Sequence, residues 1–365
     1  MVKSPSPVEV GRPEVGERII LIIPVNAEQG FFQIGTSGVR VKYDTLSSWR
    51  KRMDKRKMLG LFAALGAVAG WAISFVCVEA LQKDFSSQEI LFLQYFIAFL
   101  VLLPLHFRIF RLKERKDEWL FVGLGLCGFA LCGFFESCAV YYMNAANMAV
   151  LDTLSPIVTA VMVMVATRKN LLTRPFVIGA LVAFAGAIVT CIDGIRQMSI
   201  QPIGAVAAFL GFAAWGLYSI FLEKLNDRGY PPLMILRRGF FWALPFMLLR
   251  IFLNARGVDI AFVGLAAVNL DGAANCARFA KPTTWVNVLT LAVFSSALTF
   301  QLWGWACKAV GTVKANLALY LTPVFGVVFA SIFLGEKASP AMLAGGAIIL
   351  AGVIISNRDE REKRE

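Results

Sequence analysis

The chain has 365 residues, of which 58% are hydrophobic and 16% charged, and its mean hydropathy is +0.67. A water-soluble fold could not cover so much apolar side chain, so this composition excludes a soluble globular protein and indicates one that spans a membrane. The net charge of +12 would suit nucleic-acid binding only if basic and aromatic residues shared one folded face, and no segment has that pattern.

Residues 1–57 precede the first long apolar segment and combine scattered prolines and glycines with mixed charge. We expect them to form a poorly ordered cytoplasmic leader. Glu9 and Glu14 argue against a signal peptide, because the first part of a signal peptide is basic. The leader is either an extension upstream of a native start at Met53 or Met58, or a dispensable cytoplasmic tail.

Ten apolar segments follow, each near the length of about 20 residues that a helix needs to cross the hydrocarbon core. In chain order the predicted spans are residues 58–81, 90–107, 119–141, 148–166, 175–192, 202–222, 233–253, 285–307, 313–334 and 340–356. Residues 357–365 then form a short charged tail, which we expect in the cytoplasm.

The second half of the chain repeats the first. Trp71 aligns with Trp215, and 215−71 gives an offset of 144. Pro156 aligns with Pro323 at a larger offset, 323−156 = 167, because an insertion lies within residues 254–284. Matched positions along both halves indicate a duplicated unit.

The duplication divides the membrane part into two repeats of five helices, residues 58–194 and 195–356. Because five crossings end on the opposite side of the membrane, the second copy is inverted relative to the first. The predicted fold class is therefore an all-α membrane protein with ten transmembrane helices in two inverted five-helix repeats.

Lysine and arginine residues concentrate in the loops on one side of this arrangement, and such loops are normally cytoplasmic. With the leader inside, the basic clusters of the first repeat also lie inside: 51–57, 108–116 and 168–174. The short outside loops carry only Lys83, Arg196 and Lys337. We therefore expect a multi-pass protein of the cell (inner) membrane with both termini in the cytoplasm.

Several motifs together resemble one known family. They are Gly70-Trp71-Ala72, residues 139–156 with their counterpart 306–323, and Leu334-Gly335-Glu336 followed by the glycines of 345–352. From about residue 59 to 356 the chain resembles the drug/metabolite transporter superfamily, specifically its ten-helix EamA-type members. The resemblance implies a carrier, usually an exporter, of amino acids, metabolites, sugars or drugs that is driven by protons or by exchange.

Two carboxylates lie at membrane depth, Glu136 near the middle of the third span and Asp152 in the fourth. An ionisable side chain there costs from about 2.5 kcal/mol upward, so it normally faces a cavity or a partner. A partly desolvated carboxylate can take up and release protons at ordinary pH. We predict that Glu136 and Asp152 bind the coupling proton or a substrate amine; a fixed interhelical hydrogen bond is the alternative.

Other residues of similar depth complete the predicted substrate site: Trp71, Tyr95, Trp303 and Tyr320 as aromatic walls, and Gln94, Gln301 and Asn316 as hydrogen-bonding groups. Arg238, at the start of the seventh span, would neutralise a substrate carboxylate, pair with Glu223 or reach the lipid headgroups. Pro156 and Pro323 are expected to kink the fourth and ninth helices, although packing alone also tolerates such kinks.

An enzyme would need converging nucleophile, base or metal groups, but His106 is the sole histidine and no metal-ligand spacing or phosphate loop is present. We therefore predict no catalytic residues, metal or cofactor. The predicted function is secondary active export of an amino acid, amine or drug-like solute by proton antiport with alternating access. Its partners are that solute, the lipid bilayer and protons, and a homo-oligomer is left open. The alternatives are a uniporter or exchanger of the same fold, a non-transporting sensor and a membrane-embedded enzyme.

Overall fold

The structure is a computed structural model, and it describes residues 31–34, 39–42, 46–105, 112–168, 173–190, 201–256, 277–322, 324–325, 328–329 and 340–356. Within these ranges the chain is helical apart from one two-stranded hairpin, which confirms the predicted all-α class of the membrane part. The chain divides into two compact units, residues 1–58 and 59–365.

The hairpin belongs to the first unit. Strand β1 (Phe31–Ile34) pairs antiparallel with β2 (Val39–Lys42). The phenylalanines and isoleucine of β1 and the valines of β2 favour extended backbone. Helix α1 begins at Leu46, before the predicted start at Met58, because the lysines, arginines and methionines in between are good helix formers. The leader thus contains regular structure where the sequence predicted little order.

The described ranges contain twelve α-helices. They are α1 (Leu46–Leu81), α2 (Ser87–Leu105), α3 (Glu118–Gly125), α4 (Cys132–Asp152), α5 (Ser155–Thr167), α6 (Arg174–Thr190), α7 (Pro202–Asp227), α8 (Pro232–Ala255), α9 (Pro282–Leu289), α10 (Thr299–Val310), α11 (Thr312–Asn316) and α12 (Pro340–Ser356). Short 3-10 turns lie at Arg115–Asp117 and Leu317–Leu321.

Six helical segments in the described ranges are long and apolar enough to cross a membrane: residues 55–74, 87–104, 115–143, 202–227, 232–253 and 282–310. Three shorter apolar helices, residues 155–167, 174–190 and 343–356, match the fourth, fifth and tenth predicted spans. The ninth span is described only in part, through α11 and the 3-10 turn that follows it. Together these helices fit a multi-pass membrane fold.

Helix α4 contains the end of the third predicted span and the beginning of the fourth. Its residues Glu136 and Asp152 interact electrostatically, although 152−136 = 16 positions separate them. A straight helix would hold them about 24 Å apart. Helix α7 contacts Met143 at Gly204 but Met162 at Gly216, so the chain reverses direction between Met143 and Met162.

Helices α6 and α12 pack against each other through glycines. A Cβ built on Gly179 would lie 2.5 Å from the Gly352 carbonyl oxygen, and one on Gly186 would lie 2.8 Å from that of Gly345. The repeat alignment makes Gly179 equivalent to Gly345 and Gly186 equivalent to Gly352, since both pairs differ by 166. Gly179 therefore contacts Gly352, the equivalent of Gly186, and Gly186 contacts Gly345, the equivalent of Gly179. This is the pattern of two equivalent helices running antiparallel, as inverted repeats require.

A second matched feature is a wider, π-helical stretch in the third helix of each repeat. It covers Leu126–Leu131 in the first repeat and Thr290–Leu298 in the second. Adding the offset of 167 to 126 and 131 gives 293 and 298, which lie within the second stretch. Such stretches frequently occur at functional sites, and these two flank the aromatic residues described below.

We predict that Gly179→Ala destabilises the folded protein, because the new Cβ would meet backbone atoms of Gly352 and Ser356 at 2.4–2.6 Å. Overpacking of this kind typically costs about 1–3 kcal/mol. The measurement is the thermal unfolding midpoint of the detergent-purified protein. Gly66→Ala is the matched control, because its Cβ would meet only Leu302 Cδ1, at 3.7 Å. Equal midpoints for both variants would contradict the close approach of α6 and α12.

Candidate functional site

The two predicted carboxylates, Glu136 and Asp152, both belong to α4. Their charges interact, and Cys132 Sγ, one helical turn before Glu136, donates a hydrogen bond to Glu136 Oε1 at 3.2 Å. Tyr95 on α2 also interacts electrostatically with Glu136. Neither Glu136 nor Asp152 forms an ion pair with any residue that the structure describes. We call Glu136 and Asp152 the acid pair.

The acid pair is accessible to solvent although protein surrounds it. Glu136 is exposed and Asp152 half-buried. Helix α7 lies against Glu136 at Gly211, where a built Cβ would be 3.7 Å from Glu136 Cγ. A carboxylate that is exposed and also enclosed by helices lines an open space between them. The acid pair can therefore reach a solute or a proton within the helix bundle.

Arg250 on α8 lies close to α4 but on a different side of it. Its guanidinium is 4.0 Å from the centre of the Phe134 ring, and it interacts electrostatically with Cys138. Phe134 and Cys138 are each two positions from Glu136, which is about 200° round a helix. This cation therefore faces the side of α4 opposite to Glu136.

Aromatic side chains from both repeats form one continuous cluster next to the acid pair. Its members are Trp71, Tyr95, Phe129, Trp215, Tyr218, Phe240, Phe300 and Trp303. Trp71 and Trp215, which the repeat makes equivalent, meet edge to face at 5.8 Å between ring centres. Equivalent residues of inverted repeats meet only near the axis that relates the repeats, so this contact marks the centre of the bundle. We call this set the aromatic cluster.

Three of the predicted aromatic residues belong to the cluster. Trp303 lies 5.2 Å from Trp71 between ring centres, and Tyr95 joins them through Phe300, at 6.2 and 5.0 Å. Tyr320 packs instead against Phe184 on α6, at 6.4 Å. The structure therefore brings Trp71, Tyr95 and Trp303 into one cluster, of which Tyr95 interacts with Glu136, and it places Tyr320 outside that cluster.

The predicted amides have different surroundings. Asn316 is fully buried and accepts a hydrogen bond from Trp215 Nε1 at 2.8 Å, which ties α11 to the aromatic cluster. Gln94 hydrogen-bonds with Tyr95. Gln301 Oε1 is buried and has no partner among the described residues. Of the three amides, Asn316 and Gln94 thus contact the cluster directly.

The predicted kink positions are only partly described. Helix α4 ends at Asp152 and α5 begins at Ser155, so the helix is interrupted directly before Pro156. Pro156 occupies the first turn of α5, where its missing N–H would have no helical partner in any case. Pro323 lies outside the described residues.

Arg238 has a partner other than the one expected for it. It forms an ion pair with Glu118 on α3, and Glu118 also accepts a hydrogen bond from Trp242 Nε1 at 2.5 Å. Next to Glu118, the buried Asp117 accepts a hydrogen bond from the Tyr230 hydroxyl at 2.5 Å. These contacts join the start of α3 to the beginning of α8, at the end of the bundle that the charge pattern assigns to the cytoplasm.

A second ionic cluster connects the α1–α2 turn to the segment before α9. Arg278 pairs with Glu89 at 2.6 Å and covers the Phe85 ring at 4.4 Å, and Lys281 pairs with Asp84 at 2.7 Å. Both pairs join the first repeat to the second. They brace the end of the bundle opposite to Arg238.

The sequence candidates do not include Cys132 or Trp215, which both contact the candidate site. Cys132 could have been found from its spacing of four residues before Glu136, which puts both on one helical face. Trp215 could have been found because it is the repeat equivalent of Trp71. No group of three or more His, Cys, Asp or Glu side chains in the described ranges could hold a metal ion.

Known proteins were compared with the chain. The model of the EamA-like transporter family matches twice, over residues 58–192 and 202–358. An uncharacterized transporter of Archaeoglobus fulgidus is 24% identical over 299 residues, which cover 80% of this chain and 95% of the relative. A probable amino-acid metabolite efflux pump of Salmonella typhimurium is 25% identical over 301 residues, covering 81% and 93%.

One solved crystal structure has the same fold, with a TM-score of 0.60 at 16% identity over 83% of this chain and 97% of the other. The two family matches together span most of the chain. The relatives align over nearly their whole length, and their names describe transporters and efflux pumps and not enzymes. The chain therefore belongs to the EamA-like transporter family and is a multi-pass integral membrane transporter.

Proposed function

We propose that this transporter exports a small organic solute with a positively charged amine group in exchange for protons. The observation that carries the proposal is the acid pair, two interacting carboxylates that are accessible inside the bundle and form no ion pair with a described residue. The solute class is an amino acid, an amine or a drug-like cation.

The acid pair supports exchange because its two carboxylates repel each other when both are ionised. One bound proton or one bound ammonium group relieves that repulsion, and the two ligands therefore compete for the same place. A carrier that reorients only when this repulsion is relieved moves a proton one way and an amine the other. This competition is the physical basis of antiport.

The aromatic cluster supports the choice of a cationic solute. A cation over an indole or phenol ring gains about 0.5–2 kcal/mol, more when water is excluded. Tyr95 is buried and interacts with Glu136, and the half-buried Trp71 belongs to the same aromatic cluster. Two relatives in Salmonella typhimurium and Escherichia coli are named probable amino-acid metabolite efflux pumps, which favours a solute with an amine.

We place the transporter in the cell (inner) membrane with both termini in the cytoplasm, on the strength of the basic loops. The two inverted repeats would rock about the contact between Trp71 and Trp215, exposing the acid pair to each side in turn. The solute, the lipid bilayer and protons are the partners in this scheme, and a homo-oligomer is compatible with it.

We predict that an imposed pH gradient drives solute accumulation into proteoliposomes, and that Glu136→Gln and Asp152→Asn each abolish this accumulation. Removing one carboxylate removes the mutual repulsion that a bound proton or a bound amine relieves, so the two ligands are no longer linked. The measurement is uptake from a labelled pool of amino acids and amines, with and without the gradient. Glu114→Gln is the matched control, because Glu114 is an exposed carboxylate paired with Lys116.

Gradient-independent uptake that survives in both acid-pair variants would mean a uniporter or exchanger. It would contradict the proton-coupled proposal while leaving transport itself intact.

We further predict that the transporter distinguishes an amine from its neutral isostere. A hydrogen bond to a charged group is worth about 1.5–3 kcal/mol, which corresponds to a loss of roughly 10- to 150-fold in affinity when the charge is absent. The measurement is competition between the transported amine and its hydroxyl analogue. The preference should shrink in Glu136→Gln, and equal competition by both compounds in the unmodified protein would contradict a cationic solute.

A further inference from the structure

One row of residues on α7 runs from the acid pair to the end of the helix. Gly211, Trp215, Ser219 and Glu223 follow one another at intervals of four positions, so they lie along one ridge of the helix. The row covers 223−211 = 12 positions, which is about 18 Å along the axis. It starts against Glu136, at Gly211, and ends near the boundary of the membrane.

A second row faces it from α11 and the turn that follows. Trp215 Nε1 donates to Asn316 Oδ1 at 2.8 Å, and Thr312 Oγ1 donates to Glu223 Oε2. Asn316 Nδ2 in turn donates to the Thr312 carbonyl at 2.8 Å. As α7 runs from Trp215 to Glu223, its partners run from Asn316 back to Thr312, so the two rows are antiparallel.

Both rows carry a buried hydroxyl that makes no hydrogen bond to the described residues. Ser219 lies between Trp215 and Glu223, is fully buried, and its Oγ has no partner there. Tyr320, four positions after Asn316, is 1% exposed and its hydroxyl also lacks one. A buried polar group without a partner costs about 1–3 kcal/mol. Bound water removes that cost where the surroundings are polar.

The bond between Trp215 and Asn316 interrupts the row. An indole N–H donates but cannot accept, so a proton cannot be handed on through it. The acid pair lies on one side of this bond, and Ser219 and Glu223 lie on the other. While this hydrogen bond is intact, a proton cannot pass along the row between the acid pair and Glu223. When Trp215 leaves Asn316, water can enter between Gly211 and Ser219 and join the two ends of the row.

We propose that this row is the route by which the coupling proton passes between the acid pair and the cytoplasm. Water that enters next to Ser219 when Trp215 moves carries the proton, and the Glu223 carboxylate accepts it at the inner end and passes it to solvent. The Cys307 thiol on α10 faces the same carboxylate, and Thr312 orients it. The route rests on the proposed function, since it requires that protons are the coupling ion.

The experiment compares two modes of transport in proteoliposomes. Accumulation driven by a pH gradient requires the proton route, whereas exchange of labelled for unlabelled amine at equal pH moves no net proton. For Glu223→Gln we expect gradient-driven accumulation to fall about 100-fold, the lower end of what a positioned proton-transfer group contributes. Equal-pH exchange should stay within about twofold of the unmodified rate. Glu114→Gln, an exposed carboxylate at the same end, should change neither.

Ser219→Ala provides a smaller change at the middle of the row and should reduce only gradient-driven accumulation. It keeps the proposal testable if Glu223→Gln does not give a monodisperse protein. Trp215→Phe removes the indole N–H while keeping a ring, and it should increase the leak of protons into vesicles without solute.

Two results would overturn the route alone: gradient-driven accumulation that survives in both Glu223→Gln and Ser219→Ala, or equal losses of both transport modes in folded protein. A gradient that fails to drive the unmodified protein would overturn both the route and the proposed antiport. Gradient-driven accumulation by the unmodified protein therefore distinguishes failure of the proton route from failure of the proposed antiport.

Discussion

The close approach of α6 and α12 is the constraint on which the rest of the bundle depends. In a bilayer the hydrophobic effect does not press one helix against another, so tight association relies on van der Waals contact between backbones, which glycine permits. Gly179 and Gly186 meet Gly352 and Gly345 in reversed order. This seam fixes the antiparallel relation of the repeats, and with it the axis near which Trp71 and the residues around it are placed.

The scaffold is symmetric, but the chemistry on it is not. With the offset of 167, Glu136 corresponds to Trp303 and Asp152 to Leu319, because 136+167 = 303 and 152+167 = 319. Both carboxylates thus come from the first repeat, and an indole occupies the matching position in the second. Two inverted repeats can each adopt the conformation of the other in a second state. The two carboxylates stay with the first repeat in both states. In the proposed cycle a solute would therefore meet the carboxylates of the first repeat in either state, next to aromatic rings that both repeats supply.

Much of the fold was predictable because membrane spans are long, apolar and separated by charged loops, and the duplication follows from matched residues such as Trp71 and Trp215. The depth of Glu136 was equally readable, since it needs only a position within a span. Contacts such as Arg238 with Glu118 were not. They depend on the rotation of each helix about its axis, and spans that are apolar all round carry little information on rotation. The reversal between the third and fourth spans was predicted, but the structure continues α4 through the predicted loop at 142–147 as far as Asp152, because methionine and alanine in that loop are good helix formers.

In the proposed antiport, protons are kept from crossing without solute if the wall of the solute site and the barrier to protons share a side chain. Trp215 meets this requirement, since its ring stacks on Tyr218 at 4.8 Å in the aromatic cluster and its N–H closes the row at Asn316. A solute that displaces the ring would also break the hydrogen bond, and a ring returned to its place would remake it. If two different residues served as wall and barrier, each could move without the other, and protons would cross without solute. The double engagement of Trp215 is therefore the feature of this bundle that best suits strict exchange.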